Sequence, residues 1–430
     1  MIEILKKLTI GSFLLLAAFP LMPENYGAMV IILINVLVLF FLIMEKRKIN
    51  LSLRFFILTI PFWVFLAFQI IQKQFNLTMV LLYLPFFFIP FVFVNKPKFI
   101  GSWIIPYFIS VYQFSVGLIG VVAIYGFTGS HNLVDILEVN SYNIPIFREY
   151  AHNLPYFDIH PTYIASFFLV SFTFSVWILF FDKSLNPRNL KKRVLLNGLN
   201  AVFTSVLIIL YASRIVEIGW LLTVIYFFIR VLRNSSLFSF KWVGFLFVLS
   251  FFVIGFSFKS VISSRFTELI TEINNPVKGN HHNSTNIRMA ILHCSADLYK
   301  ELPFFGYGNS LQDELNECFE SSYDSDFYLI STYNTHNFYL HILLFGGWMG
   351  LILFLGYLTY LFFLTPIGTL GKLILLQLLL INLTENYLSR HYGIVNFNIM
   401  ICLFYGYQIW NNNSKLFDDT TRRLTSINEK

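Results

Sequence analysis

The chain reads as an all-α, polytopic membrane protein with about twelve membrane-spanning helices and a long, partly helical loop between the ninth and the tenth. Three observations lead there. Of 430 residues, 57% are hydrophobic and 19% aromatic, but only 12% are charged, where soluble domains carry about 25%. Apolar runs of 16 to 28 residues recur between short polar stretches, and a bilayer-crossing helix needs about 20 such residues. Lysine and arginine are dense in alternate loops, as expected when one set of loops stays in the cytoplasm. The same figures exclude a soluble enzyme, a disordered chain, collagen and a coiled coil.

In chain order the spans are predicted at 8–22, 27–44, 54–71, 77–94, 99–126, 160–181, 194–212, 215–232, 242–258, 337–363, 373–389 and 394–410. Lys6-Lys7 before the first run resembles the start of a signal peptide, but no convincing small-residue cleavage site follows, so a retained helix is expected. With the N-terminus inside, 21 of the 30 basic residues fall in inner segments. The outer nine are Lys73, Arg148, Arg214, Lys259, Arg265, Lys278, Arg288, Lys300 and Arg390. Both termini are then cytoplasmic, and the net charge of +7 marks topology, with no nucleic-acid partner implied. Residues 1–258 carry nine spans and a smaller outer loop at 128–159, residues 259–336 form the long outer loop, residues 337–410 carry the last three spans, and 411–430 form a tail.

Inside the long loop, Asn274 to Thr285 is turn-rich. Ile287–Leu302 has helical apolar spacing and is stopped by Pro303; it lies on the membrane surface or packs on the bundle. Gly306-Tyr307-Gly308 reads as a turn, and Leu311–Glu320 as a short acidic helix. Cys294 and Cys318 share this loop and either pair in an oxidising compartment or stay free, whereas Cys402 belongs to the packing of the last span.

The polar chemistry collects on the outer side, where all nine histidines fall, some in the first turn of a span. His160-Pro161-Thr162-Tyr163 opens the sixth span, with proline where its missing N–H costs nothing. Ser213-Arg214 opens the eighth and Thr335-His336-Asn337 the tenth. Each runs from outside to inside, so three helix N-termini point unpaired N–H groups and a positive dipole end at the outer water. Arginine added there makes an anion site, because its planar fork donates two parallel hydrogen bonds to a phosphate and stays protonated. Arg214, Arg288 and Arg148 are the candidates; the alternative has them snorkelling to the interface or pairing with Glu217 or Glu149. His336 is either a general base or an interfacial cap. Glu385, near Arg390-His391, is an ionisable group at membrane depth and therefore a functional candidate, with a local Glu385–Arg390 pair as the structural alternative. His281-His282 and His293 lack the spacing of a zinc finger or a His-Glu-x-x-His helix, so no metal is expected.

His336-Asn337, nine residues, then Gly347-Trp348-Met349-Gly350 fits the pattern H-[NSQ]-x9-G-x-x-[GTY], and the chain thereby resembles the bacterial O-antigen ligases and the related O-antigen polymerases. Ser213-Arg214 at a span start, Asn286-Ile287-Arg288 followed by Leu302-Pro303-Phe304-Phe305-Gly306-Tyr307-Gly308, His160-Pro161-Thr162-Tyr163 and Leu383-Thr384-Glu385-Asn386 are also similar. The resemblance implies a metal-independent, inverting glycosyltransferase without cofactor, in the bacterial inner membrane with its active site facing the periplasm. Its donor would be a polyprenyl-diphosphate-linked glycan, and its acceptor a sugar hydroxyl of the lipid A core or of another glycan. Arg214 and Arg288 would hold the diphosphate, and His336 would activate the acceptor hydroxyl or orient the donor. His160, Tyr163, Asn337, Glu217, Arg148 and Glu385 are the expected substrate-binding positions. One departure stands out: Ile215-Val216-Glu217 follows Ser213-Arg214 where many relatives carry a small residue, so Glu217 either orients Arg214 or partly neutralises it. Ligation is the first expectation and polymerisation the alternative. A non-enzymatic flippase is the rival from another class, and it requires charges at several depths along a central cavity.

Overall fold

The computed structural model describes residues 2–73, 75–140, 144–154, 159–181, 190–233, 259–273, 284–323, 333–365 and 367–410. Most of these residues lie in α-helices, and the described residues include no β-strand. The helices are α1 (Ile2–Ala17), α2 (Glu24–Met44), α3 (Leu53–Ile71), α4 (Leu77–Tyr83), α5 (Pro85–Val94), α6 (Ile104–Ser130), α7 (Ile146–His152), α8 (Pro161–Phe181), α9 (Leu190–Tyr211) and α10 (Arg214–Arg233). After them come α11 (Lys259–Ile273), α12 (Ser284–Lys300), α13 (Leu311–Ser322), α14 (Phe338–Thr359), α15 (Gly368–Ile381) and α16 (His391–Trp410).

Eight helical stretches among the described residues are long and apolar enough to cross a membrane: α2, α3, α4 with α5, α6, α8, α9 from Val194, α10, and α14 with its continuation to Leu364. The apolar α15 is shorter, the apolar stretch assigned within α16 is His391–Tyr405, and α1 has 16 residues. The predicted ninth span, the tail 411–430, and His281 and His282 lie outside the described residues. The chain is therefore an all-α polytopic membrane protein.

Several predicted boundaries move, each for a local reason. The first helix covers Ile2–Ala17 rather than 8–22, because Phe19–Leu21, with Pro20 at its middle, forms a separate 3-10 turn. The fourth span is broken where Pro85, without an N–H to donate, begins a new helix. The eleventh span begins at Gly368 and ends at Ile381, which leaves Glu385 in a turn outside the helix. Residues 259–273, expected as loop, form α11.

In a bilayer the hydrophobic effect does not draw helices together, so close packing and interhelical hydrogen bonds must. Helix α8 sits at the centre: every side chain from Pro161 to Trp177 is buried, as a helix apolar all round its circumference requires. The Gln377 amide on α15 donates to Thr173 on α8 and Thr223 on α10, each at 2.7 Å. Gly371 lets α15 approach α16 closely; a Cβ there would meet the Phe404 ring at 2.9 Å.

The two motif glycines 347 and 350 have steric work. Gly347 breaks α14 with φ 64°, a region costly for L side chains. Its missing side chain admits the turn after α12, since a Cβ would lie 2.2 Å from the Phe304 carbonyl oxygen. Gly306, with φ 73°, faces the Leu344 and Phe345 carbonyls in the same way, and the Tyr307 N–H donates to the Leu344 carbonyl at 2.8 Å. The Gly306-Tyr307-Gly308 turn is thus a dock for the outer loop on α14. Gly347→Ala is expected to lower stability by about 3 kcal/mol, the sum of the left-handed backbone penalty and of overpacking. A thermal midpoint equal to wild type in detergent would refute this account of the kink.

Candidate active site

Glu385 is the hub of the site. It is buried, and among the described residues it is the one charged side chain that is. Its Oε1 lies 3.3 Å from an Arg288 guanidinium nitrogen and its Oε2 3.4 Å from His336 Nδ1. The local pair with Arg390 anticipated from the sequence is replaced by these two long-range partners. The reason is the chain path: α15 stops at Ile381, and Asn382 turns the backbone by donating to the Leu378 carbonyl and accepting from the Leu388 N–H. Glu385 is thereby turned toward α12 and the start of α14.

His336 is held in an unusual backbone state. Its φ is 43°, in the left-handed region that few non-glycine residues occupy, and its N–H donates to Asn334 Oδ1 at 2.9 Å. Asn337 is the N-cap of α14, its side chain accepting from the Leu340 N–H at 3.0 Å. The Phe338 N–H donates to the Asn382 carbonyl at 2.9 Å, which ties the α14 start to the Glu385 turn. The adjacent pair in the motif therefore divides its duties: Asn337 starts the helix and His336 projects from the residue before it. His336 remains 28% exposed, enough for a ligand to reach it.

A second layer braces the Glu385 turn. The Tyr163 hydroxyl on α8 donates to the Asn386 carbonyl at 3.3 Å, and the Tyr163 ring stacks on Tyr387 at 5.0 Å. Thr335 donates to Asn386 Oδ1 at 3.0 Å. Below it, the Tyr387 hydroxyl contacts Ser166 and accepts from Asn396, each at 2.9 Å. Tyr163, expected from the sequence to bind substrate, is buried and shapes the floor.

His160 precedes α8, and its Nδ1 accepts from the Thr162 N–H at 3.4 Å. Burial drives its pKa down to about 4, against the opposing pull of Glu385, so at neutral pH the ring is uncharged. For the Glu385 carboxyl, burial pushes the pKa up, but the hydrogen-bonding contact with His336 and the neighbouring charges outweigh it and hold the group below its ordinary value.

Both shifts have the same consequence for stability. A histidine whose folded pKa is depressed takes up its proton more readily when unfolded, so its contribution is complete above about pH 6.5 and is lost as pH falls toward 4. The depressed Glu385 carboxylate contributes above its unfolded pKa and loses that as pH falls through the folded one. His160→Asn, which keeps a side-chain acceptor for the Thr162 N–H, is expected to flatten the loss of thermal stability between pH 7 and pH 5. An unchanged slope would place that loss elsewhere.

The three helix starts foreseen from the sequence lie where expected: α8 begins at Pro161, α10 at Arg214 and α14 at Phe338. Ser213 donates to Thr162 Oγ1 at 3.2 Å, joining the first two, and the Glu385 turn joins α8 to α14. Arg214 is the first residue of α10 and half-buried, with Glu217 in the same first turn. Arg148 on α7 donates to the Tyr211 carbonyl and, at 3.2 Å, to that of Ala212. There it satisfies carbonyls at the negative end of α9, so part of its guanidinium serves the α9–α10 turn.

Cys294 on α12 and Cys318 on α13 form a disulfide with a Cα–Cα distance of 5.7 Å, which clamps together the helix that carries Arg288 and its neighbour. His293 lies close by, but the two sulfurs are bonded to each other and so do not offer thiolates to a metal.

No curated protein is significantly similar to the chain. Residues 199–355, which hold Arg214, Arg288, His336 and the two motif glycines, match the family model described as O-antigen ligase, so this stretch is similar to that family.

Proposed function

We propose that the protein transfers a polyprenyl-diphosphate-linked glycan to a sugar hydroxyl at the periplasmic face of the bacterial inner membrane, as an O-antigen ligase. One observation carries the reading: Glu385 bonds one Arg288 nitrogen and lies 3.4 Å from His336 Nδ1, beside three helix N-termini. With Nδ1 turned to the carboxylate, Nε2 is the nitrogen left to take the proton of the attacking hydroxyl, and Glu385 stabilises the imidazolium that forms. The hydroxyl attacks the anomeric carbon, the glycosidic bond to the diphosphate breaks, and the polyprenyl diphosphate leaves with added negative charge. Arg288, Arg214 and the N-termini of α8, α10 and α14 suit that leaving group, because fixed dipoles and cations favour the transition state over the ground state. Attack from the face opposite the leaving group gives inversion.

Two further features support it. An apolar cleft between α3, α5 and α14, walled by Phe65, Phe68, Phe345 and Phe354, reaches Phe338 two residues from His336, as an isoprenoid tail next to the site requires. The Cys294–Cys318 disulfide fits an oxidising periplasm and not the cytoplasm. The flippase alternative finds less support, since charge among the described buried residues is confined to Glu385 at one end of the bundle.

The test is deletion of the gene in the native host, followed by the lipopolysaccharide ladder and the pool of carrier-linked glycan. Loss of long chains from lipid A with their accumulation on the carrier is the expected result. A single capped repeat would instead make the protein a polymerase, and an unchanged ladder with an unchanged carrier pool would defeat the transfer reading for this glycan.

A further inference from the structure

At the end of the bundle away from Glu385, a separate cavity of about 380 Å³ opens between the start of α3 and the ends of α5, α14 and α16. That size falls within the range of small-molecule sites, roughly 300–1,000 Å³. Its walls divide into two kinds. Leu53, Ile57, Leu58 and Val94 give an apolar side, whereas Asn50, Arg54 and the tyrosines 360 and 405 give a polar one. Among the described residues, no carboxylate or other acceptor is bonded to the Arg54 guanidinium. The first N–H groups of α3 have no side-chain cap, so the positive end of that helix adds to the Arg54 charge.

The surroundings are basic and rigid. Turns 44–54 and 94–100, which meet where Arg47 donates to the Lys96 carbonyl at 3.0 Å, carry Lys46, Arg47, Lys48, Arg54, Lys96 and Lys98 and a single acid, Glu45, which Arg47 engages at 3.1 Å. Asn95 is fully buried and locks the two turns, accepting from the Asn50 N–H at 2.6 Å. The Lys98 N–H donates to Glu45 at 3.2 Å. A cationic, preformed cavity that is half apolar, at the rim of a membrane-spanning bundle, suits an amphiphile with an anionic head.

We propose that this cavity is a headgroup site for an anionic phospholipid, with Arg54 and the α3 N-terminus on the phosphate and the tyrosine hydroxyls on the glycerol and ester oxygens. It is independent of the transfer site, so its test does not depend on transferase activity. The experiment uses the full chain in nanodiscs of phosphatidylcholine doped with phosphatidylglycerol, reading the bound lipid by native mass spectrometry and the thermal midpoint in parallel. Wild type is expected to retain phosphatidylglycerol preferentially and to gain stability from it. Arg54→Gln should lose roughly tenfold of that preference, as for one charge-assisted contact. Lys98→Gln, a charge loss outside the cavity, should keep it, and a midpoint for Arg54→Gln equal to wild type in pure phosphatidylcholine shows that the variant is folded.

Three results would overturn the proposal. They are retention of the lipid by Arg54→Gln as by wild type, equal stabilisation of wild type by inorganic phosphate alone, and a lipid response that emerges only when Asp418 and Asp419 of the tail are changed to Asn. The second would make the ligand free phosphate, and the third would make the tail the occupant.

Discussion

His336→Ala is expected to reduce glycan transfer by about 10²- to 10⁴-fold, the range that a positioned general base contributes, while the protein still inserts and folds. The fold should survive because His336 is partly exposed and α14 is started by the neighbouring Asn337, not by the histidine. Alanine at a φ of 43° is strained, so a second variant separates strain from chemistry. Asn tolerates the left-handed region better than most residues and can still reach toward Glu385, but it accepts no proton. His336→Asn should therefore match His336→Ala in lost transfer and exceed it in thermal stability. Transfer measured on purified protein with carrier-linked glycan decides the matter: full activity in a well-folded His336→Asn variant would remove the base from the mechanism.

Glu385→Ala should damage both stability and transfer, because it deprives two partners at once. Breaking a buried ion pair by removing one member costs about 3–5 kcal/mol, and the low end applies here since Arg288 is 40% exposed and its charge remains partly solvated. Glu385→Gln gives the sharper test. It keeps the volume and a hydrogen-bonding oxygen, so most stability should return, yet the amide cannot stabilise an imidazolium, and transfer should stay at least about tenfold down. Its loss of stability on acidification should also be shallower than in wild type, since the depressed carboxylate is gone. Recovery of full transfer in Glu385→Gln would reduce Glu385 to a packing role.

How much of this was legible in the sequence depends on the range of the interaction. The spans were readable because about 20 apolar residues in a row report on themselves, and the errors came where a local event intervened: Pro20, Pro85 and the Asn382 turn. Helix α12 was legible from its spacing and its Pro303 stop, whereas α11 was not foreseen. The spacing of Cys294 and Cys318 left pairing open, and only the packing of α12 on α13 brought their Cα atoms to 5.7 Å. The H-N-x9-G-x-x-G motif was visible as a pattern, but the need for Gly347 was not, since the backbone that excludes a Cβ there is Phe304, more than forty residues earlier.

The sequence by itself determined an all-helical membrane protein, the three span starts that carry His160, Arg214 and His336, and the likeness to O-antigen ligases, because hydropathy, helix-start chemistry and a compact motif are properties of neighbouring residues. Only the tertiary structure decided that Glu385 faces Arg288 and His336 and not Arg390, that Tyr163 lies under the site, and that part of Arg148 is spent on α9 carbonyls. Those outcomes depend on which helix ends meet in space, and in an interior where an ionised group survives only beside its partner, that meeting chooses the pairs.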